Sequence, residues 1–193
     1  MSEYQQVSKN LGEALKKATQ PFRKYRNFAD EVWSEGAIDT KTKEILAVAV
    51  THVTKCSYCV DFHTKRAKKA GAKVEELIEA AVLSASIQSN PALMKDETLR
   101  VSNLEDFPLS ARSFFIYPTS EEGFYLTQKT KVLIGLAVSY ALKNNEWIST
   151  FLQLVPDLSI SEDEIKETSM VASALLAGAT IRHIDDIINA FEN

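Results

Sequence analysis

The stretch Glu44-Ile45-Leu46-Ala47-Val48-Ala49-Val50-Thr51-His52-Val53-Thr54-Lys55-Cys56-Ser57-Tyr58-Cys59-Val60-Asp61-Phe62-His63 decides how the rest of the chain is read. Its first ten residues are apolar on nearly every side of a helical wheel, the pattern of a helix buried all round. Asp39 or Thr40 can cap that helix, with Glu44 in its first turns. A short break at Thr54–Cys56 precedes a second helix from about Ser57 to Ala70, closed by Gly71.

Working outward, the same three-to-four residue spacing recurs. Pro21 to Ser34 reads as a helix with proline in its first turn, ended by Gly36. Val74 to Gln88 is another, stopped by Asn90-Pro91. The stretch from Lys95 to Gly123 is the least regular and reads as a connector. Alternation typical of strands is nearly absent, and glycine and proline number only 6 and 5, so the expected class is all-α.

A shift of 88 positions lays the first half on the second without a gap between Ile38 and Ser89. Lys41-Thr42-Lys43 falls on Lys129-Thr130-Lys131, Lys55 on Lys143, Glu76 on Glu164 and Glu79 on Glu167. Eight identities in 52 positions count for more because apolar positions match too, as Ile45 does Leu133. The expectation is a tandem helical repeat, with one unit over 1–95 and a connector plus degenerate second repeat over 96–193.

Composition narrows the function. A net charge of −4 over 193 residues provides no basic footprint for nucleic acid or anionic lipid. No apolar run approaches the roughly 20 residues of a membrane span. A polar, acidic start argues against a secretory signal and makes the cytoplasm the expected compartment, where structural disulfides are rare. The two cysteines, Cys56 and Cys59, therefore stand out.

Two thiols three residues apart face each other across one helical turn, within reach of a reversible disulfide. His63, four residues after Cys59, shares its face and can handle the thiol proton. Cys56 at the helix start meets free N–H groups and the positive dipole end, which favour a thiolate. Glu44 can orient His63 if the two helices pack antiparallel. His52, one turn before Cys56, and Tyr58, between the cysteines, are read as supporting positions. At the shifted positions Glu44, Cys56, Cys59 and His63 become Val132, Asn144, Trp147 and Phe151, so the whole set disappears together. The competing reading is a zinc site from His52, Cys56, Cys59 and His63, all of preferred ligand types. Asp61 and the Lys65–Lys69 run read as solvated helix surface, and His183 as a surface or interface residue.

Glu44, the Cys-x-x-Cys stretch and His63, in this helical frame, resemble the alkylhydroperoxidase D-like branch of the carboxymuconolactone decarboxylase family. The resemblance covers about Ala37 to Gln88. It implies a thiol-dependent peroxidase acting on hydroperoxides, with Cys56 and Cys59 as redox pair and Glu44 and His63 as proton relay. It implies no cofactor beyond the redox-active disulfide, a dithiol or disulfide-reductase electron donor, and a homo-oligomer. Some members carry histidine at the third position of the Cys-x-x-Cys box, where this chain has Tyr58. Cys59 is expected to couple to the relay and the more exposed Cys56 to meet the reductant. A lactone decarboxylase, after the other branch, is the second enzymatic reading.

Overall fold

The computed structural model describes residues 3–89 and 124–192. The Asn90-Pro91 stop, the connector from Lys95 to Gly123 and the boundary at 95/96 lie outside them. Every regular element among the described residues is helical. In chain order these are α1 (Glu3–Lys17), α2 (Thr19–Val32), α3 (Thr40–Thr54), α4 (Ser57–Lys69), α5 (Val74–Ser89), α6 (Gln128–Leu142), α7 (Asn145–Leu152), α8 (Glu162–Ile181) and α9 (Ile184–Glu192), with one 3-10 turn at Pro156–Leu158.

The aliphatic runs place α3 and α6 at the centre. Residues 43–51 of α3 and 131–139 of α6 are all buried, as helices apolar on every side must be. They pack on each other, α4 and α5 on α3, α7 on α6, and α8 across both. Asp39 caps α3 by accepting from Thr42 N at 3.0 Å. The expected ends hold closely: α2 starts two residues early with Pro21 still in its first turn, and Gly71 follows α4 with φ +89°.

The N-terminal helix α1 has no clear marker in the sequence because its polar residues dilute the apolar pattern. It buries Val7, Asn10 and Ala14 against its neighbours. Asn10 donates to Asp185 at 2.6 Å and to Asn189 at 3.0 Å, a buried polar clasp onto α9.

Geometry repeats at the 88-residue shift. Helices α3 and α6 begin and end 88 residues apart, each leaving through a left-handed lysine, Lys55 (φ 56°) and Lys143 (φ 55°). Lys41–Glu76 and Lys129–Glu164 are both 2.8 Å ion pairs. Glu167 accepts from Ala37 N (2.7 Å) and Ile38 N (3.0 Å), while Glu79 accepts from Tyr125 N (2.6 Å) and Leu126 N (3.1 Å). Each half thus holds the entry to the other half's central helix through the same carboxylate. Burial works to raise the Glu167 carboxyl, but the two N–H groups and the Lys43 ammonium outweigh it and hold it below its ordinary value.

Candidate active site

The left-handed Lys55 turns the chain sharply out of α3 and into α4, making Cys56 the N-cap of α4. Cys56 Sγ accepts from Cys59 N at 3.2 Å, a thiol in the role usually taken by a hydroxyl or carboxylate. Cys56 and Cys59 are joined as a disulfide, their Cα atoms 5.2 Å apart. The expected difference in exposure is not found: Cys56 is 8% and Cys59 6% exposed. Capping draws the Cys56 sulfur back over the helix end.

Helices α3 and α4 pack closely, bringing Glu44 to His63 across 19 residues of sequence. His63 Nδ1 donates to Glu44 Oε2 at 2.8 Å, an orientation that leaves Nε2 to carry the lone pair. Glu44 has no exposed surface and His63 is 7% exposed. Arg66 Nε donates to the other oxygen, Glu44 Oε1. A buried carboxylate is costly alone, and these two donors on α4 satisfy it. Trp33 lies over the imidazole at 5.1 Å and Phe62 meets it edge-on at 5.0 Å. The Arg66 guanidinium sits 5.5 Å from the Trp33 ring and 5.6 Å from Phe62.

The Lys65–Lys69 run is therefore not uniformly solvated: Lys65 pairs with Asp61 at 2.6 Å on the surface, whereas Arg66 turns inward. Cys59, His63 and Arg66 follow i, i+4, i+7 spacing, a stripe that could have identified Arg66. Trp33, the residue that ends α2, has no such marker.

The supporting positions occupy different places. Tyr58 stacks on Tyr4 at 5.0 Å and its hydroxyl lies 3.3 Å from Ser8 Oγ, so it ties α4 to α1. Burial raises the Tyr58 phenol above its ordinary value, and Tyr4 and Asp61 add to this against the Ser8 bond. His52 Nδ1 lies 2.8 Å from the Val48 carbonyl of its own helix, so the two histidines of the proposed zinc set serve different partners. Among the described residues no group of three or more His, Cys, Asp or Glu side chains is arranged to hold a metal ion. His183 pairs with Asp186 at 2.7 Å on the surface, as expected.

The carboxymuconolactone decarboxylase family model matches residues 20–97, spanning α2 to α5 and the whole of this constellation. The likeness to that family is thus a property of this segment. The chain is also 41% identical over 61 residues to a Paracoccus denitrificans protein described as uncharacterized protein 4 in the cox locus. That likeness covers 32% of this chain and 55% of that protein, so the chain spans about half its relative's length. No solved structure matches the chain.

The matched segment does not enclose this site alone. A cavity of about 630 Å³ opens beside Cys59 and His63, walled by α2 and α4 from that segment and by α1 and α8 from outside it. Cys59, not Cys56, lines this space. At the shifted position in the second half Asn144 keeps the capping bond, accepting from Trp147 N at 3.0 Å. Trp147 and Phe151, each 1% exposed and stacked at 5.6 Å, fill the space with rings. Gly135 stands there in place of Ala47 because a methyl group would strike the Phe151 ring.

Proposed function

We propose that the chain is a thiol-dependent peroxidase of the alkylhydroperoxidase D-like branch, reducing hydroperoxides through Cys56 and Cys59. The observation carrying this reading is a Cys56–Cys59 pair whose Cys59 lines a cavity together with a buried imidazole, His63, held through Nδ1 by Glu44.

In the reduced protein His63 takes the Cys59 proton. The thiolate attacks the peroxide, forming an S–O bond as the O–O bond breaks, and the leaving alkoxide recovers the proton from His63 as an alcohol. The Cys59 sulfenic acid then meets the Cys56 thiol; the S–S bond forms and water leaves. A dithiol donor reduces the disulfide by exchange, which suits the reducing cytoplasm. Glu44 fixes the ring's orientation and balances the imidazolium; Arg66 holds Glu44 in place.

The 88-residue correspondence supports a duplicated unit in which the first copy works and the second, its site filled by Trp147 and Phe151, is scaffold. Val74, Ile78 and Val82 form an exposed apolar stripe on α5, which supports self-association. No helix among the described residues is long and apolar enough to cross a membrane.

Stopped-flow mixing of reduced protein with a hydroperoxide, counting thiols before and after, tests the reading. Two thiols lost per chain, slowed sharply in His63→Ala, is the expected result. No thiol loss with any peroxide overturns it. Turnover of a muconolactone by a Cys56→Ser/Cys59→Ser variant would favour the decarboxylase instead.

A further inference from the structure

The cavity is far larger than hydrogen peroxide requires. Its volume of about 630 Å³ compares with roughly 30 Å³ for a molecule of water. It runs along α2, with Phe22, Tyr25 and Ala29 in its wall and Trp33 just beyond the last turn. Trp33 lies against His63 at 5.1 Å and marks the dithiol end. Tyr25 comes two turns earlier, a helical rise of about 12 Å.

The charged groups in this wall are already matched. Arg66 pairs with Glu44, Arg26 with Asp30 at 3.4 Å and Arg182 with Asp186 at 3.5 Å. The Ser8 and Tyr58 hydroxyls lie 3.3 Å apart and satisfy each other. An anionic ligand would meet no spare cation among these residues, so the loss of its hydration would go uncompensated.

The Tyr25 hydroxyl differs. Among the described residues no group hydrogen-bonds to it, and away from the dithiol end it is the one lining polar side chain without a partner. Its ring is half-buried and meets Phe22 edge-on at 5.9 Å. The hydroxyl reaches across to Gly178 of α8, where a methyl group would stand 3.1 Å from it, and both residues line the cavity. Burial raises this phenol above its ordinary value, with Tyr58 adding to the effect and Arg26 opposing it, so the hydroxyl keeps its proton and can donate. A ligand that displaces water from such a group without replacing the hydrogen bond loses affinity.

We propose that Tyr25 is a substrate-binding residue, its hydroxyl donating to an uncharged oxygen that the organic hydroperoxide carries away from its peroxide end. The peroxide then lies at Cys59, and a carbonyl, hydroxyl or ether oxygen about two turns back along α2. The inference rests on the peroxidase reading for the reacting group alone: the dithiol is oxidised to the disulfide as the hydroperoxide is reduced to the matching alcohol and water. The preference for a neutral acceptor stands on the cavity.

Calorimetric titration of the full-length disulfide form with two unreactive probes of one shape, acetophenone and ethylbenzene, tests it. Acetophenone is expected to bind about fivefold tighter, the effect of one neutral hydrogen bond. Tyr25→Phe, which keeps the ring, should abolish that preference. Benzoate is expected to bind no tighter than acetophenone. Equal binding of acetophenone and ethylbenzene to the unmodified protein overturns the proposal without any variant, as does failure of both to bind. A preference that survives Tyr25→Phe overturns the role of Tyr25, and tighter binding of benzoate overturns the choice of an uncharged group. Probes that obey these expectations, with no thiol loss to any hydroperoxide, would retain the Tyr25 site and overturn the peroxidase reading. Thiol loss with indifferent probes would do the reverse.

Discussion

Glu44 and His63 meet at 2.8 Å with the carboxylate wholly buried, and Arg66 closes its second oxygen. The carboxylate therefore selects one tautomer of His63. Glu44→Gln keeps the shape but can donate as well as accept, so the ring can turn or change tautomer. The rate of thiol loss to peroxide should fall by about a hundredfold in stopped-flow mixing while helicity is unchanged. Glu44→Ala should also lower stability, towards the low end of the about 3–5 kcal/mol for a broken buried pair, because Arg66 is 41% exposed and can turn to water.

Reciprocal bonds to Glu79 and Glu167 tie the two halves together, and Glu167 gives stability a pH dependence. Burial opposes ionisation of Glu167, yet Ile38 N, Ala37 N and Lys43 hold its pKa below the ordinary 4.5. Glu76 and Glu164 are lowered in the same way against burial, chiefly by Lys41 and Lys129. A carboxyl lowered in the folded state contributes stability that is present above its unfolded value and lost as pH falls through the folded one. Urea midpoints should hold from pH 7 to about pH 5 and drop below 4.5. Glu167→Gln should lower the midpoint at pH 7 and flatten the acid limb in part, since Glu76 and Glu164 still titrate. An unchanged acid limb would contradict this assignment.

Gly135 and Phe151 make a packing pair where the first half has Ala47 and His63. Gly135→Ala drives a methyl into the ring and should destabilise by about 1–3 kcal/mol, despite alanine's higher helix propensity. Combining it with Phe151→Leu should cost less than the sum of the two single changes, as expected for residues in contact. Additive urea midpoints would show that the two do not share this space.

Much of this was legible in the sequence because the signals were local. The aliphatic run 45–50, the Asp39 cap and the Gly71 stop each act within a few residues, and α3 and α4 follow them closely. The Cys–Cys–His stripe is local too, and Glu44 needed only the assumption that α3 and α4 pack together. Trp33 and α1 were not legible as site components, because a ring at the end of α2 and a polar helix docked through Asn10 and Asp185 reach the site only by tertiary packing. Cys56 is less exposed than a place at a helix start predicts, because such starts are usually open whereas here the sulfur itself is the cap.

That cap also shows how the two cysteines can be told apart. Serine is a strong N-cap, so Cys56→Ser should keep the start of α4, with its hydroxyl accepting from Cys59 N in place of the sulfur. Cys59 remains beside His63 at the cavity, free to attack but with no thiol to resolve it. Peroxide should then consume its thiol at close to the normal first-step rate and leave a sulfenic acid that a 1,3-dione traps, read as an adduct on Cys59 by mass spectrometry. Cys59→Ser should leave the Cys56 thiol intact over the same interval, because Cys56 does not line the cavity. If Cys59→Ser forms the adduct on Cys56 while Cys56→Ser stays inert, the roles are exchanged, and the cavity beside Cys59 is not where the peroxide reacts.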